Sequence, residues 1–295
     1  MEPVLSVTGL KKSFRRTLGA KPVQALKGVS FEILPGTVTG FLGANGAGKT
    51  TTIKCLLNLA IPDEGQIRYF GSPTLTAEAK SRIGFLPERP YFYEYLTGEE
   101  FLRFYGSLSG RVPKPEMNER IETLLKKVGL QHAGKRPLRG YSKGMLQRIG
   151  IAQALIHRPD FIILDEPMTG LDPDGRFEVR EIIRETAKSG TAVFFSSHLL
   201  PDAEQLCERL VILKQGELVY HGPTKQLMGN FQEGFELTSA KDGVIATEKL
   251  VSIADLQKAI DAKRAERREV LEVKALRPSL EEIFVKIAMQ KGQQR

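Results

Sequence analysis

Gly43-Ala44-Asn45-Gly46-Ala47-Gly48-Lys49-Thr50-Thr51 decides the reading of this 295-residue chain. It follows the apolar run Val38–Leu42, which reads as a strand, and passes into a helix-like stretch over 49–59. Three glycines let successive backbone N–H groups curl around a phosphate, and the positive end of the following helix points at the same place. In this P-loop pattern Lys49 sets a charge against the outer phosphates of a nucleotide, and the Thr50 hydroxyl offers Mg²⁺ a hard oxygen. Asn45, Ala47 and Thr51 belong to the same cradle. The glycines, lysine and hydroxyl, flanked by strand and helix, make a chance turn a poor explanation.

Downstream lies Phe161-Ile162-Ile163-Leu164-Asp165-Glu166, a buried-type strand that ends in two carboxylates. Asp165 is placed to be a second Mg²⁺ ligand, and Glu166 to orient and deprotonate an attacking water. Further strand patterns fall at 4–7, 29–33, 66–70, 82–86, 191–196 and 210–213. The continuous apolar runs joined by helices indicate a parallel sheet covered on both faces. Between about 90 and 150 the pattern is helical, with a Thr97/Glu100 capping box and Phe101, Phe104, Tyr105 and Leu108 at helical spacing.

From about 223 the pattern restarts. Two strands flank Asp242-Gly243, a charged helix spans 252–268, and a strand spans 270–273. A last helix opens on a Ser279/Glu282 capping box with Leu280, Ile283, Phe284 and Ile287 as its buried stripe. The expected architecture is α/β: a P-loop NTPase core over 1–222 with an antiparallel β subdomain and a helical insertion. A small α/β accessory domain over 223–295 completes it.

Composition narrows the function class. With 41% hydrophobic and 26% charged residues, the chain has the makings of an ordinary globular core. Its net charge of +8 is spread along the sequence without a basic tail, which fits a solvated surface and also an anionic membrane surface. The longest charge-free stretch, 33–48, holds Pro35 and five glycines and is shorter than the ~20 apolar residues a spanning helix needs. Met1-Glu2 opens no basic-then-apolar leader, and Cys55 and Cys207 read as buried, reduced thiols.

Tyr141-Ser142-Lys143-Gly144-Met145-Leu146-Gln147-Arg148 precedes the Asp-Glu strand, Gly170-Leu171-Asp172 follows it, and Ser197-His198 comes later. In that order these segments resemble the signature, the D-loop and the switch histidine of the ABC ATPases. The resemblance covers 1–222. Pro278 to Phe284 looks like the tail of exporter-type members that serve separate permease subunits.

The family implies a homodimer, closed head to tail, that sandwiches two ATP molecules with Mg²⁺. Ser142 and Gly144 would touch the γ-phosphate of the partner's ATP, and Asp172 would couple the two sites. His198 would hold the γ-phosphate and the water. With Lys49 and Glu166, His198 makes the expected catalytic set. The resemblance implies ATP hydrolysis driving transport, by export, through integral-membrane permease subunits, with the chain peripheral on the cytoplasmic face of the membrane. No nucleic-acid partner is expected. The competing class, a soluble non-transport ABC ATPase acting on a macromolecular complex, usually has two cassettes or a long coiled coil; this chain shows one cassette and neither addition.

Four positions depart from the family pattern or leave two readings. Lys143 stands where glycine is usual and either approaches phosphate or faces solvent. Met145 replaces glutamine and gives up a polar contact. Glu88 stands for the Q-loop glutamine, as a third Mg²⁺ ligand or a surface carboxylate. Phe14 either stacks on adenine or packs on an edge strand, with an insertion over 15–24 behind it. Tyr91, Phe92, Tyr93 and Tyr95 border the region that receives a permease helix in this family, and core packing explains them equally well. The basic residues of the 252–268 helix read as a solvated face or as one turned to the membrane or to a second copy.

Overall fold

The computed structural model describes residues 2–15, 22–231, 234–276 and 278–290. It falls into two compact units, Met1–Gly222 and Pro223–Arg295.

The first unit opens with strands β1 (Leu5–Phe14) and β2 (Val23–Ile33), then β3 (Val38–Leu42), helix α1 (Lys49–Leu56) and strand β4 (Glu64–Tyr69). A short helix α2 (Ala77–Ser81) leads to β5 (Ile83–Leu86). The helical stretch comprises α3 (Gly98–Ser109), α4 (Met117–Lys127) and α5 (Lys143–Leu155). The chain then alternates through β6 (Phe161–Asp165), α6 (Pro173–Lys188), β7 (Ala192–Ser197), α7 (Leu200–Leu206), β8 (Arg209–Lys214) and β9 (Glu217–Pro223).

Two sheets result. The antiparallel one has the order β2-β1-β4, and alternate residues such as Leu5, Val7, Leu10, Val29 and Phe31 are buried. The six-stranded sheet has the order β5-β6-β7-β3-β8-β9, and its pairs from β5 to β8 are parallel. Every residue of β3, β6 and β7 is buried, as the uninterrupted apolar runs require of strands covered on both faces. Phe31 of the antiparallel sheet stacks on Phe194 at 5.7 Å between ring centroids, and Phe194 on Phe41 at 4.9 Å, so aromatic packing joins the two layers.

The parallel register determines where the chemistry gathers. Leu42 stands opposite Ser197, and Asp165 opposite Ser196, so β3, β6 and β7 end side by side. Ligands of open α/β sheets bind beyond these carboxyl ends.

In the helical stretch α3 carries the expected Thr97/Glu100 capping box. Its stripe divides: Phe101 and Leu102 are buried, whereas Phe104 and Leu108 are 40% and 67% exposed. The helix seats on Phe101, Leu102 and Gly106, and Phe104 falls to one side of that face, its ring against Tyr93 at 5.6 Å. The carboxyl half of α5 is buried and lies against β5, where Gly84 leaves no room for a Cβ beside the Ala154 carbonyl. Helix α1 stops at Leu56, short of the expected 59; the Leu57 and Asn58 N–H groups donate to the Ile53 and Cys55 carbonyls and so satisfy acceptors of the last turn, and Leu59 is exposed.

The second unit has a short helix α8 (Thr224–Asn230), strands β10 (Gly234–Lys241) and β11 (Val244–Leu250), helix α9 (Ile253–Ala265), strand β12 (Glu269–Leu276) and helix α10 (Leu280–Gln290). Its antiparallel sheet has the order β11-β10-β12. The Ser279/Glu282 box caps α10, with Leu280 and Ile283 buried; the Ile287 side chain lies outside the described residues. Helix α9 ends at Ala265, short of the expected 268, and two of the basic residues are used inside the unit: Lys263 pairs with Glu248 at 3.1 Å, and Arg268, just past the helix, bonds Ser239 and the Val244 carbonyl. Among the described residues no helix is long and apolar enough to cross a membrane. Cys55 and Cys207 are buried and form no disulfide.

Candidate nucleotide site

The turn between β3 and α1 forms one wall of a cleft of about 320 Å³. Asn45, Gly46, Gly48, Lys49, Thr50 and Thr51 line it, together with Glu88, Asp165, Glu166 and His198. Residues as distant in the chain as Asn45 and His198 meet there because β3, β6 and β7 end together.

Gly48 shows why the turn takes its shape. Its φ of 109° lies in the left-handed region, and a Cβ would sit 2.8 Å from the Ala25 carbonyl and 2.9 Å from Leu26 Cδ2. Only glycine lets the antiparallel sheet approach the turn this closely. The Gly216 N–H donates to the Ala47 carbonyl at 2.9 Å, and the Lys27 N–H to Gly216 at 2.8 Å, which pins the turn to the far side of the sheet.

Lys49 is 7% exposed; its ammonium donates to the Gly43 carbonyl at 2.7 Å and lies 3.5 Å from Glu166 Oε1. Glu166 has a φ of 51°, uncommon for a residue with a side chain and a mark of stored strain of about 1–3 kcal/mol. Its backbone N–H donates to Ser196 Oγ at 2.9 Å, which holds that conformation. Oε2 of the same carboxylate accepts from Thr169 Oγ1 at 2.9 Å and from His198 Nδ1 at 2.7 Å. A carboxylate can only accept, so the Nδ1 proton points at Glu166.

Asp165 is buried and accepts from Ser196 Oγ at 2.5 Å. Burial holds its carboxyl above the usual range, opposed by the Ser196 hydrogen bond, while Glu88 and Glu166 add to the rise and Lys49 works against it. The donor set therefore suits a hard divalent cation: Thr50 supplies a hydroxyl, Asp165 and Glu88 supply carboxylates, and the buried negative charge calls for a counter-ion.

The other sequence-selected residues lie outside this cleft. Gly43 contributes its carbonyl to Lys49 from beneath, and Ala47 is buried under the turn. Phe14 ends β1, 44% exposed, with the Lys12 ammonium 5.5 Å from its ring; residues 16–21 of the neighbouring insertion lie outside the described residues. Ser142 caps α5 by accepting the Met145 N–H at 3.3 Å, and Gly144 is in the first turn, where a Cβ would meet only Ser142 Oγ at 4.0 Å. Asp172 caps α6, accepting the Gly175 N–H at 2.8 Å. The Lys143 ammonium lies against Gly170, whose φ of 71° suits glycine. Of the four aromatics, Phe92 packs inward on Phe101 at 5.5 Å, while Tyr91 and Tyr95 are 79% and 73% exposed.

Sequence reasoning missed three contributors. Ser196 carried a signal, being two residues before His198 at the end of an apolar strand. Thr169, three residues after Glu166, carried a weaker one. Ala25 carried none, because its contact with Gly48 joins separate sheets.

The family model described as ABC transporter matches residues 26–169. An uncharacterised ABC transporter ATP-binding protein of Synechocystis sp. is 40% identical over 285 residues, covering 92% of this chain and 80% of its own length. The bacitracin transport ATP-binding protein BcrA of Bacillus licheniformis is 37% identical over 262 residues, covering 87% of this chain and 82% of its own. Among solved structures, cbiO1 from Clostridium perfringens, part of the ABC transporter complex cbiONQ, superposes with a TM-score of 0.68 at 26% identity, over 78% of this chain and 92% of that one. The cradle around Lys49, the adjoining Glu166 and His198, and relatives alike along most of their length lead to one family: this chain is an ATP-binding subunit of the ABC transporter type, and an ATPase.

Proposed function

We propose that the chain powers transport, by export, through separate integral-membrane permease subunits, closing head to tail on a second copy of itself around two ATP molecules. The observation that carries this reading is the division of the family's functional residues between two places. Lys49, Thr50, Asp165, Glu166 and His198 share one cleft, while Ser142, Gly144 and Asp172 stand outside it and bond only to their own helix ends. A site whose second half is turned outward is completed by another molecule presenting the same outward half.

In this reading Lys49 and the N–H groups of the 43–50 turn bind the β- and γ-phosphates. Glu166 takes a proton from the attacking water, and His198, oriented through Nδ1, holds that water and the γ-phosphate. Thr50, Asp165 and Glu88 would hold Mg²⁺, which would supply charge neutralisation at the phosphates. Ser142 and Gly144 contact the γ-phosphate from the second copy, Asp172 couples the two sites, and Phe14 stacks on adenine. Because the γ-phosphate is the tie between copies, its loss on hydrolysis opens the dimer and drives the permease.

The exposed Tyr91 and Tyr95 fit a face that docks a permease helix, and the transport names of relatives such as BcrA favour the membrane over a soluble complex. Purification of the complex from membranes tests this directly. Recovery of an integral-membrane partner is the expected result, and recovery with ribosomes or DNA would refute it.

A further inference from the structure

We infer that Arg148 is a positioning residue: it registers the Ser142 end of α5 against the Asp172 end of α6 within one chain. The two halves of the outward edge then meet a second copy as one surface. This inference rests on the two-copy reading above.

Arg148 lies on α5, six residues past Ser142, and its side chain is 13% exposed. Its Nη1 donates to the carbonyl of Val128, the residue that ends α4, at 3.0 Å. Its Nε faces Glu178 Oε2 on α6 at 3.4 Å, and Glu178 lies six residues past Asp172. One guanidinium thus ties the end of α4, the middle of α5 and the first half of α6. At the front of the same interface the Lys143 ammonium lies against Gly170, at the entry to Asp172. Helix α5 therefore meets the Gly170–α6 segment at two places, one on each side of the outward edge.

The joint is incomplete in a telling way. Arg148 Nε is buried and makes no hydrogen bond, although a carboxylate faces it. A guanidinium keeps its charge at any working pH, and a buried donor without a partner is costly. A small shift of α6 against α5 that aligns this N–H with the carboxylate 3.4 Å away completes that bond, so the joint favours one setting of the two edges. Gly129, beside the Val128 carbonyl, has a φ of 66°, and a Cβ there would stand 3.0 Å from Nη1, so the end of α4 is shaped to admit the guanidinium. A groove of about 240 Å³ lined by Val128, Gly129, Arg148, Phe177 and Glu178 gives the elements room to adjust. Coupling of this kind passes through packed side chains that have alternative settings.

The test uses Glu166→Gln, expected to retain ATP and to accumulate the dimer, as the parent. The ATP concentration at half-maximal association is measured by sedimentation for the parent and for parents that also carry Arg148→Ala, Arg148→Lys, Glu178→Ala, Arg148→Ala with Glu178→Ala, or Arg148→Glu with Glu178→Arg. Arg148→Ala and Glu178→Ala are each expected to raise the midpoint about 5-fold, and the double Ala variant to do little more. The lysine variant and the charge exchange should recover part of the loss. ATP affinity of dilute single copies, measured with a fluorescent nucleotide, should stay within 2-fold of about its parent value, a readout that a general loss of fold would move. Should Arg148→Ala fail to fold, half-exposed Glu178→Ala carries the comparison alone. Unchanged midpoints in folded variants overturn this inference while leaving the two-copy reading intact. A parent that does not associate with ATP at all overturns both.

Discussion

The nucleotide cleft and the outward edge are built from the same chain by opposite means. In the cleft each functional group is held by another: Lys49 by Gly43, Glu166 by Ser196, Thr169 and His198, and Asp165 by Ser196. At the edge, Ser142 and Asp172 satisfy one helix N–H each and otherwise face outward. A low-dielectric, cross-braced cleft is pre-organised for chemistry. An exposed edge with short polar caps is pre-organised for being met. The difference separates a braced cleft, whose groups hold one another, from an edge that in the two-copy reading is left for a second chain to meet.

Glu166→Gln offers the largest expected effect on this contrast. Turnover should fall at least ~10²-fold, the usual scale for loss of a general base, with ATP binding retained and dimer accumulating. Steady-state ATPase assays and sedimentation check both halves, and normal turnover would remove Glu166 from its role. Next comes Ser142→Trp, which fills the edge while leaving the cleft alone. Turnover should drop about 30-fold, and ATP-driven association with it, whereas nucleotide affinity of dilute protein holds. Ser142→Ala serves as the control for the lost helix cap, worth about 1 kcal/mol. A tryptophan variant as active as the parent would confine the reaction to one copy.

Gly48→Ala probes the cleft's construction instead of its chemistry. The new Cβ meets backbone at Ala25 and side chain at Leu26, in a conformation that suits glycine. A loss of about 2 kcal/mol in denaturant unfolding is expected, with weakened nucleotide binding. Unchanged stability would mean that the two sheets approach each other less closely than described. The smallest effect is a pH dependence away from both regions. His157 Nε2 donates to the Ile83 carbonyl at 3.1 Å, and burial lowers its pKa below the ordinary 6.5, opposed by that hydrogen bond and assisted by Arg111 and Arg120. Above the ordinary value the ring is neutral in both states and its contribution is fully present. As pH falls, the unfolded chain takes up the proton first, and the contribution is lost through the folded pKa. His157→Gln should therefore flatten the decline of melting temperature between pH 7 and 5; an unaltered slope would assign that decline to other groups.

How much was legible follows from distance along the chain. Helix caps at Thr97 and Ser279 were readable because three-residue spacing carries the whole mechanism. The helical spacing of Phe101, Phe104, Tyr105 and Leu108 foretold the α3 helix but not their burial, because periodicity marks a face without saying how much of it a neighbour covers. Lys143 left two readings open, and its contact at Gly170 depends on a loop 27 positions away.

By itself the amino-acid order determined the phosphate cradle, the Asp165-Glu166 pair and the family, since a P-loop is a contiguous backbone device and apolar runs announce buried strands. Tertiary structure alone decided that Ser196 serves both acids, that Ala25 walls the turn, and that Arg148 reaches Glu178. Those contacts join residues whose spacing in the chain carries no period, and only strand register and helix packing bring them within bonding distance.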